Sequence, residues 1–157
     1  MTEQPAPPET LTEFESEFEG VEVDAPRVGI IMGSKSDMPE MEKAAQELEE
    51  RGIHYEVRVM SAHREPDIVC DYAKNAHMRG LRVIIAGAGL SAALPGVCAA
   101  HTDLPVIGVP LTSKNSAAGG LDALLATSQM PPGVPVACVG LNSARNAAIL
   151  AARILNS

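Results

Sequence analysis

Tryptophan is absent, and the large aromatics are only Phe14, Phe18, Tyr55 and Tyr72. That scarcity counts against a non-enzymatic flavin-binding module, because flavin needs flat apolar partners and the folded part offers only two. Cys70, Cys98 and Cys138 are odd in number and widely spaced, with no C-x-x-C pair, which excludes a disulfide framework. They fit buried, reduced thiols in a cytoplasmic protein. His54, His63, His77 and His101 show no H-x-x-x-H spacing, so nothing in the sequence asks for a metal. Apolar residues never run on for the roughly 18 positions of a membrane span. No basic segment leading into an apolar run opens the chain, so a secretory signal is not expected.

Basic residues are missing from Met1 to Pro26, which holds eight acids, whereas Arg27 to Ser157 holds twelve acids and twelve bases. The first 26 residues read as an acidic, disordered arm. Residues 27–157 read as one domain, neutral overall, which argues against nucleic acid bound through a broad basic face.

What remains is an alternation of strand and helix. Arg27 to Met32 is an apolar run of the kind a central parallel strand shows. Met41, Ala44, Ala45 and Leu48 then fall on one helical face, with Glu42, Lys43, Glu47 and Glu49 facing water and Gly52 as the stop. Ile53, Tyr55, Val57 and Val59 alternate with polar residues through Met60, as in a half-buried strand. Further helices are expected over Pro66–Arg79, around Leu94–His101, near Leu121–Ser128 and over Ala144–Leu155. Further strands are expected over Leu81–Ala86, Pro105–Val109 and Val134–Val139, with a turn at Gly87–Gly89. The pattern predicts an α/β fold with a parallel sheet of about five strands and helices on both faces. Small faces such as Ala92-Ala93 and Ala151-Ala152 suit close helix packing within a core or between subunits.

Two strand-to-helix junctions carry the chemistry. Gly33-Ser34-Lys35-Ser36-Asp37 puts two hydroxyls, an ammonium and a carboxylate where free amides and the helix dipole favour an anion. Ser34 and Ser36 are candidate donors to phosphate, and Asp37 a candidate acceptor for ribose hydroxyls. Asp37 also fits an N-cap, with Pro39 in the first turn and Glu40 three residues on. Ser61-Ala62-His63-Arg64-Glu65-Pro66 lies at the sheet edge where such folds bind ligands. Arg64 offers a planar fork for phosphate or carboxylate, with a surface ion pair to Glu65 or Asp67 as the plainer alternative. Imidazole is the side chain that exchanges protons near neutral pH, so His63 is the best general acid/base candidate. Gly87-Ala88-Gly89-Leu90-Ser91-Ala92 nearly matches a dinucleotide fingerprint. It follows the wrong strand, however, and Val109-Pro110 stands where an acid should hold the ribose, so NAD is not expected.

Taken together, Gly33 to Asp37, Ser61 to Pro66, Ala86 to Gly89 with Leu94-Pro95-Gly96, and Gln129-Met130-Pro131 before Gly133-Val134-Pro135 resemble the 5-(carboxyamino)imidazole ribonucleotide mutase family of purine biosynthesis. The resemblance runs from about Val28 to Leu155. It implies a flavodoxin-like three-layer αβα sandwich, a homo-octamer, and conversion of N5-carboxyaminoimidazole ribonucleotide to 4-carboxy-5-aminoimidazole ribonucleotide without cofactor or metal. It further implies His63 as the catalytic group, Ser34 and Asp37 as nucleotide contacts, Arg64 with Ser36 and Ser61 on the phosphate, and Ala88 and Gly89 as close walls. Relatives that carboxylate aminoimidazole ribonucleotide directly with carbon dioxide usually carry Lys where this chain has Arg64, which favours the mutase. Ala93 stands where many members have a histidine. The loop Thr112 to Gly119 is longer than usual in the family, and the turn Leu141-Asn142-Ser143 is shorter.

Overall fold

The computed structural model describes residues 25–157. The acidic arm expected over residues 1–26 therefore lies almost wholly outside the described residues. Five parallel strands are β1 (Val28–Met32), β2 (Tyr55–Val59), β3 (Val83–Gly89), β4 (Val106–Leu111) and β5 (Ala137–Cys138), in the order β2-β1-β3-β4-β5. That is the flavodoxin-like order, whose switch point lies between β1 and β3. The connecting helices are α1 (Met38–Glu50), α2 (Pro66–Asn75), α3 (Leu94–Ala100), α4 (Leu121–Ser128) and α5 (Ala144–Leu155).

Alternation along the central strands sorts the core into two layers. Val83 and Ile85 join Val28, Ile30, Ile107 and Val109 beneath α1 and α5. Ile84, Ala86 and Ala88 join Ile31 and Val106 beneath α2, α3 and α4. Alanines form the buried stripe of α5, at Ala144, Ala147, Ala148, Ala151 and Ala152, so its backbone approaches α1 and the sheet.

Several expectations are corrected. Gly87-Ala88-Gly89 is not a turn: β3 continues through it, pairing Ala88 with Pro110 and Gly89 with Leu111. A Cβ at Gly87 would overlap the Met41 sulfur, so the missing side chain leaves the space that Met41 of α1 fills. α2 stops at Asn75, and a 3-10 turn, His77–Arg79, completes the run to Gly80. β5 pairs only at Ala137 and Cys138, because Pro135 has no amide to donate and the strand lies at an edge. Val57 and Val59, on the opposite edge strand, are 36% and 37% exposed rather than half-buried. Glu47, expected in water, is buried and bonded to Arg51 and to Arg145 of α5. Of the thiols only Cys98 is buried, where desolvation, helped by nearby Cys70, pushes it up to about 12; Cys70 and Cys138 are half-buried. Among the described residues no helix is long and apolar enough to cross a membrane.

Candidate functional site

β1 ends at the switch point, and both predicted junctions meet there. Ser34 is extended (φ −152°, ψ 150°), and its Oγ accepts from the Ser36 amide at 3.3 Å while lying 2.9 Å from Ser36 Oγ. The Asp37 amide donates to the Ser34 carbonyl at 3.1 Å, closing a 3-10 turn that leads into α1. The two hydroxyls are therefore held side by side at a helix start, where an anion is favoured.

The second junction is stitched to the first. Met60 donates its amide to the Met32 carbonyl at 2.8 Å, bringing the end of β2 beside the end of β1. Ser61 is buried; its Oγ accepts from the Arg64 amide at 3.3 Å and its carbonyl from the Glu65 amide at 2.8 Å. The turn so formed sends the Arg64 guanidinium across 31 residues to the Gly33 carbonyl, with Nη2 donating at 2.7 Å. The ion pair to Glu65 or Asp67 is not made. One arm of the guanidinium is used to lock the junctions together, and the remaining N–H groups are left for a ligand. His63, between Ala62 and Arg64, is exposed on this same turn.

Asp37 stands at the N-cap position but its side chain makes no capping bond, which corrects the cap reading. Burial pushes its pKa up, against the opposing pull of the Ser34 amide and the Arg64 charge. The folded protein holds this proton to higher pH than the unfolded chain, so stability declines as pH rises from the ordinary 3.8 through the raised folded value. At neutral pH the charge is carried at a cost to the fold. Asp37→Asn is therefore expected to raise Tm slightly at pH 7, with the gain vanishing in acid, while ligand affinity falls. Thermal scans at pH 3 and pH 7 check it.

On the far side of β1, Met32 is in register with Gly87, so Ala88 and Gly89 extend past the end of β1 toward the Gly33 loop. Ser34, Ser36, Asp37, Ser61, His63, Arg64, Ala88 and Gly89 thus all sit on three neighbouring strand ends at one edge of the sheet. Ala93 lies at the start of α3 and offers only a methyl group. A cavity of about 1080 Å³ lies at the opposite, amino edge, lined by Lys74, His77, Arg82, His101 and Pro105 among others, and holds none of them. Among the described residues no cluster of three or more His, Cys, Asp or Glu is spaced to hold a metal ion.

A family model described as AIR carboxylase matches residues 27–157. The chain belongs to the AIR carboxylase family. Within that family it is 62% identical over 130 residues to the N5-carboxyaminoimidazole ribonucleotide mutase of Thermotoga maritima, covering 83% of this chain and 75% of that protein. The mutase of Pyrococcus abyssi is 57% identical over 136 residues, covering 87% and 77%. A phosphoribosylaminoimidazole carboxylase of Schizosaccharomyces pombe is 56% identical over 133 residues, which is 85% of this chain but 24% of that longer protein. The crystal structure of Treponema denticola PurE superposes with a TM-score of 0.72 at 36% identity, covering 83% of this chain and 80% of that one.

The sequence did not single out a pair of side chains near this AIR carboxylase edge. Asn142, in the turn before α5, and Thr112, in the loop after β4, bond to each other. Asparagine's tolerance of left-handed backbone was the available signal; the partner 30 residues away was not.

Proposed function

We propose that this protein is an N5-carboxyaminoimidazole ribonucleotide mutase, converting its substrate to 4-carboxy-5-aminoimidazole ribonucleotide in purine biosynthesis. The observation that carries the reading is the Arg64 bridge to Gly33, which assembles a cationic fork, three serine hydroxyls and a carboxylate beside an exposed imidazole. In this reading Arg64, Ser36 and Ser61 take the phosphate, Ser34 and Asp37 hold the nucleotide, and Ala88 and Gly89 allow close approach of the ring.

His63 is the general acid and base. Protonated, it gives its proton to the exocyclic nitrogen as the carbamate N–C bond breaks and carbon dioxide leaves. The ring carbon then attacks the trapped gas, forming the new C–C bond. Neutral His63 removes the ring proton, restoring aromaticity and its own charge. Protons balance over the cycle, so no redox or metal partner is called for in this scheme. Holding the gas beside its acceptor is a proximity effect.

Arg64→Ala removes charge-assisted hydrogen bonds that contribute about 1.5–3 kcal/mol, so KM is expected to rise roughly 10- to 150-fold. Initial-rate measurements over a range of substrate concentrations check it.

We further propose a homo-octamer acting in the cytoplasm. Ile68, Leu90, Leu121 and Leu125 are exposed apolar side chains, as are Val57 and Val59 on the β2 edge, and such surface favours burial by neighbouring protomers. Static light scattering is expected to give eight times the protomer mass; a monomer at micromolar concentration overturns this part.

The assay that tests the reaction offers the purified protein either N5-carboxyaminoimidazole ribonucleotide or aminoimidazole ribonucleotide with bicarbonate. Consumption of the first supports the mutase. Productive turnover of the second alone identifies a direct carboxylase, and turnover of neither overturns both.

A further inference from the structure

We infer that Asn142 is a positioning residue, which through Thr112 holds the loop after β4 as a wall of the reaction chamber. Its chemical duty is to keep carbon dioxide beside the ring. The inference rests on the mutase reading and adds to it a residue outside the motifs.

Among the described residues Asn142 is one of three non-glycine residues in the left-handed region (φ +53°), a conformation that asparagine tolerates better than most side chains. Three hydrogen bonds account for its being there. Its amide donates to the Pro110 carbonyl at 2.9 Å. Its Oδ1 accepts from the Thr112 amide at 3.0 Å, and its Nδ2 donates to Thr112 Oγ1 at 2.7 Å. The first of the side-chain bonds needs an acceptor and the second a donor, so the carboxamide is used at both ends. Glycine would satisfy the backbone but not the two side-chain bonds.

The tether acts on a segment adjoining the site. Gly89 pairs with Leu111, and a Cβ there would lie 3.0 Å from the Leu111 carbonyl, so the ends of β3 and β4 are in close contact. Thr112 is the next residue, and the chain beyond it is folded on itself. Ser116 Oγ accepts from the Ser113 amide at 2.8 Å, and Ser113 Oγ from the Asn115 amide at 3.2 Å. The Ala117 amide donates to Asp122 Oδ2 at 3.1 Å, fixing the other end. The loop 113–116 is thus a compact turn anchored at both ends, and it follows directly on the strand end whose Pro110 and Leu111 pair with Ala88 and Gly89. Thr112 and Asn142 are exposed, so their bonds add modestly to global stability. Their effect is to fix where the wall stands.

A chamber wall has a signature that a merely structural contact lacks. After the carbamate breaks, carbon dioxide either attacks the ring or escapes, leaving free aminoimidazole ribonucleotide. A loosened wall shifts this partition toward escape. The experiment measures free aminoimidazole ribonucleotide against carboxylated product for the parent, Asn142→Gly, Thr112→Val and Thr112→Ser, after subtracting loss without protein, with Tm recorded for each. Asn142→Gly and Thr112→Val are expected to release several-fold more of the free nucleotide, with Tm within a few degrees of the parent. Thr112→Ser, which keeps the hydroxyl, is expected to restore the parental ratio. Thr112→Val keeps the side-chain shape, so it decides the matter should Asn142→Gly fold poorly. An unchanged partition in the folded variants, with an active parent, overturns the tether alone; a parent that consumes no substrate overturns the mutase reading and the tether with it.

Discussion

His63→Asn is expected to leave a folded protein that still binds the ribonucleotide while turnover falls at least about a hundredfold, the lower range for losing a general acid and base. The side chain is exposed and sits on a turn held by Ser61 and Arg64 rather than by the imidazole, so the fold does not depend on it. Asparagine keeps a polar group of similar reach but cannot cycle a proton. In the proposed reaction one group donates in the first half and accepts in the second, so both halves slow together. Equilibrium binding of the product, set beside kcat, separates this outcome from lost affinity. A variant turning over at near-parental rates contradicts the assignment.

Gly108→Ala is expected to destabilise the fold by overpacking the core between β4 and the helices that cover it. A Cβ at this position in β4 would overlap Thr127 Cγ2 and stand 2.9 Å from Val136 Cγ1 and 3.3 Å from Pro95 Cβ. None of these neighbours yields easily. Thr127 is fully buried with its Oγ1 bonded to the Ala123 carbonyl at 2.8 Å, and Pro95 is part of the first turn of α3. Overpacking of this kind costs about 1–3 kcal/mol, or roughly 4–12 °C in Tm for a domain of this size. Gly33→Ala is the control: nothing lies within 4 Å of its added carbon, so Tm should hold. Calorimetry of the two variants and the parent checks the contrast.

The sequence made local features legible and left pairings across the fold hidden. α4 and α5 span the expected Leu121–Ser128 and Ala144–Leu155: α5 has a clear helical repeat of buried alanines, and α4 is bounded by the Gly119-Gly120 pair before it and Pro131-Pro132 after it. The parallel sheet was equally legible from apolar runs separated by helices. β3 was misjudged at its end because glycines read as a turn unless the neighbour that needs the space, here Met41, is known. Glu47 read as solvent-facing because Arg145, its partner, comes from a helix almost a hundred residues later. The same limit explains the site. Its hydroxyls, carboxylate, guanidinium and imidazole were all named from local motifs. That Arg64 reaches Gly33 instead of a neighbouring acid depends on β2 lying beside β1, which strand spacing does not reveal. Asp37 looked like a cap because the cap motif is local; Ser34, three residues earlier, closes the turn instead.

A crystal structure with bound 4-carboxy-5-aminoimidazole ribonucleotide tests the account most directly, because the molecule offers two separate places for a phosphorylated ligand. The account predicts phosphate oxygens within hydrogen-bond distance of Arg64 and Ser36, and the imidazole ring of the nucleotide facing His63, at the carboxyl ends of β1, β2 and β3. A nucleotide lodged instead in the amino-edge cavity, on Lys74, Arg82 and His101, with the Gly33 loop empty, would contradict it.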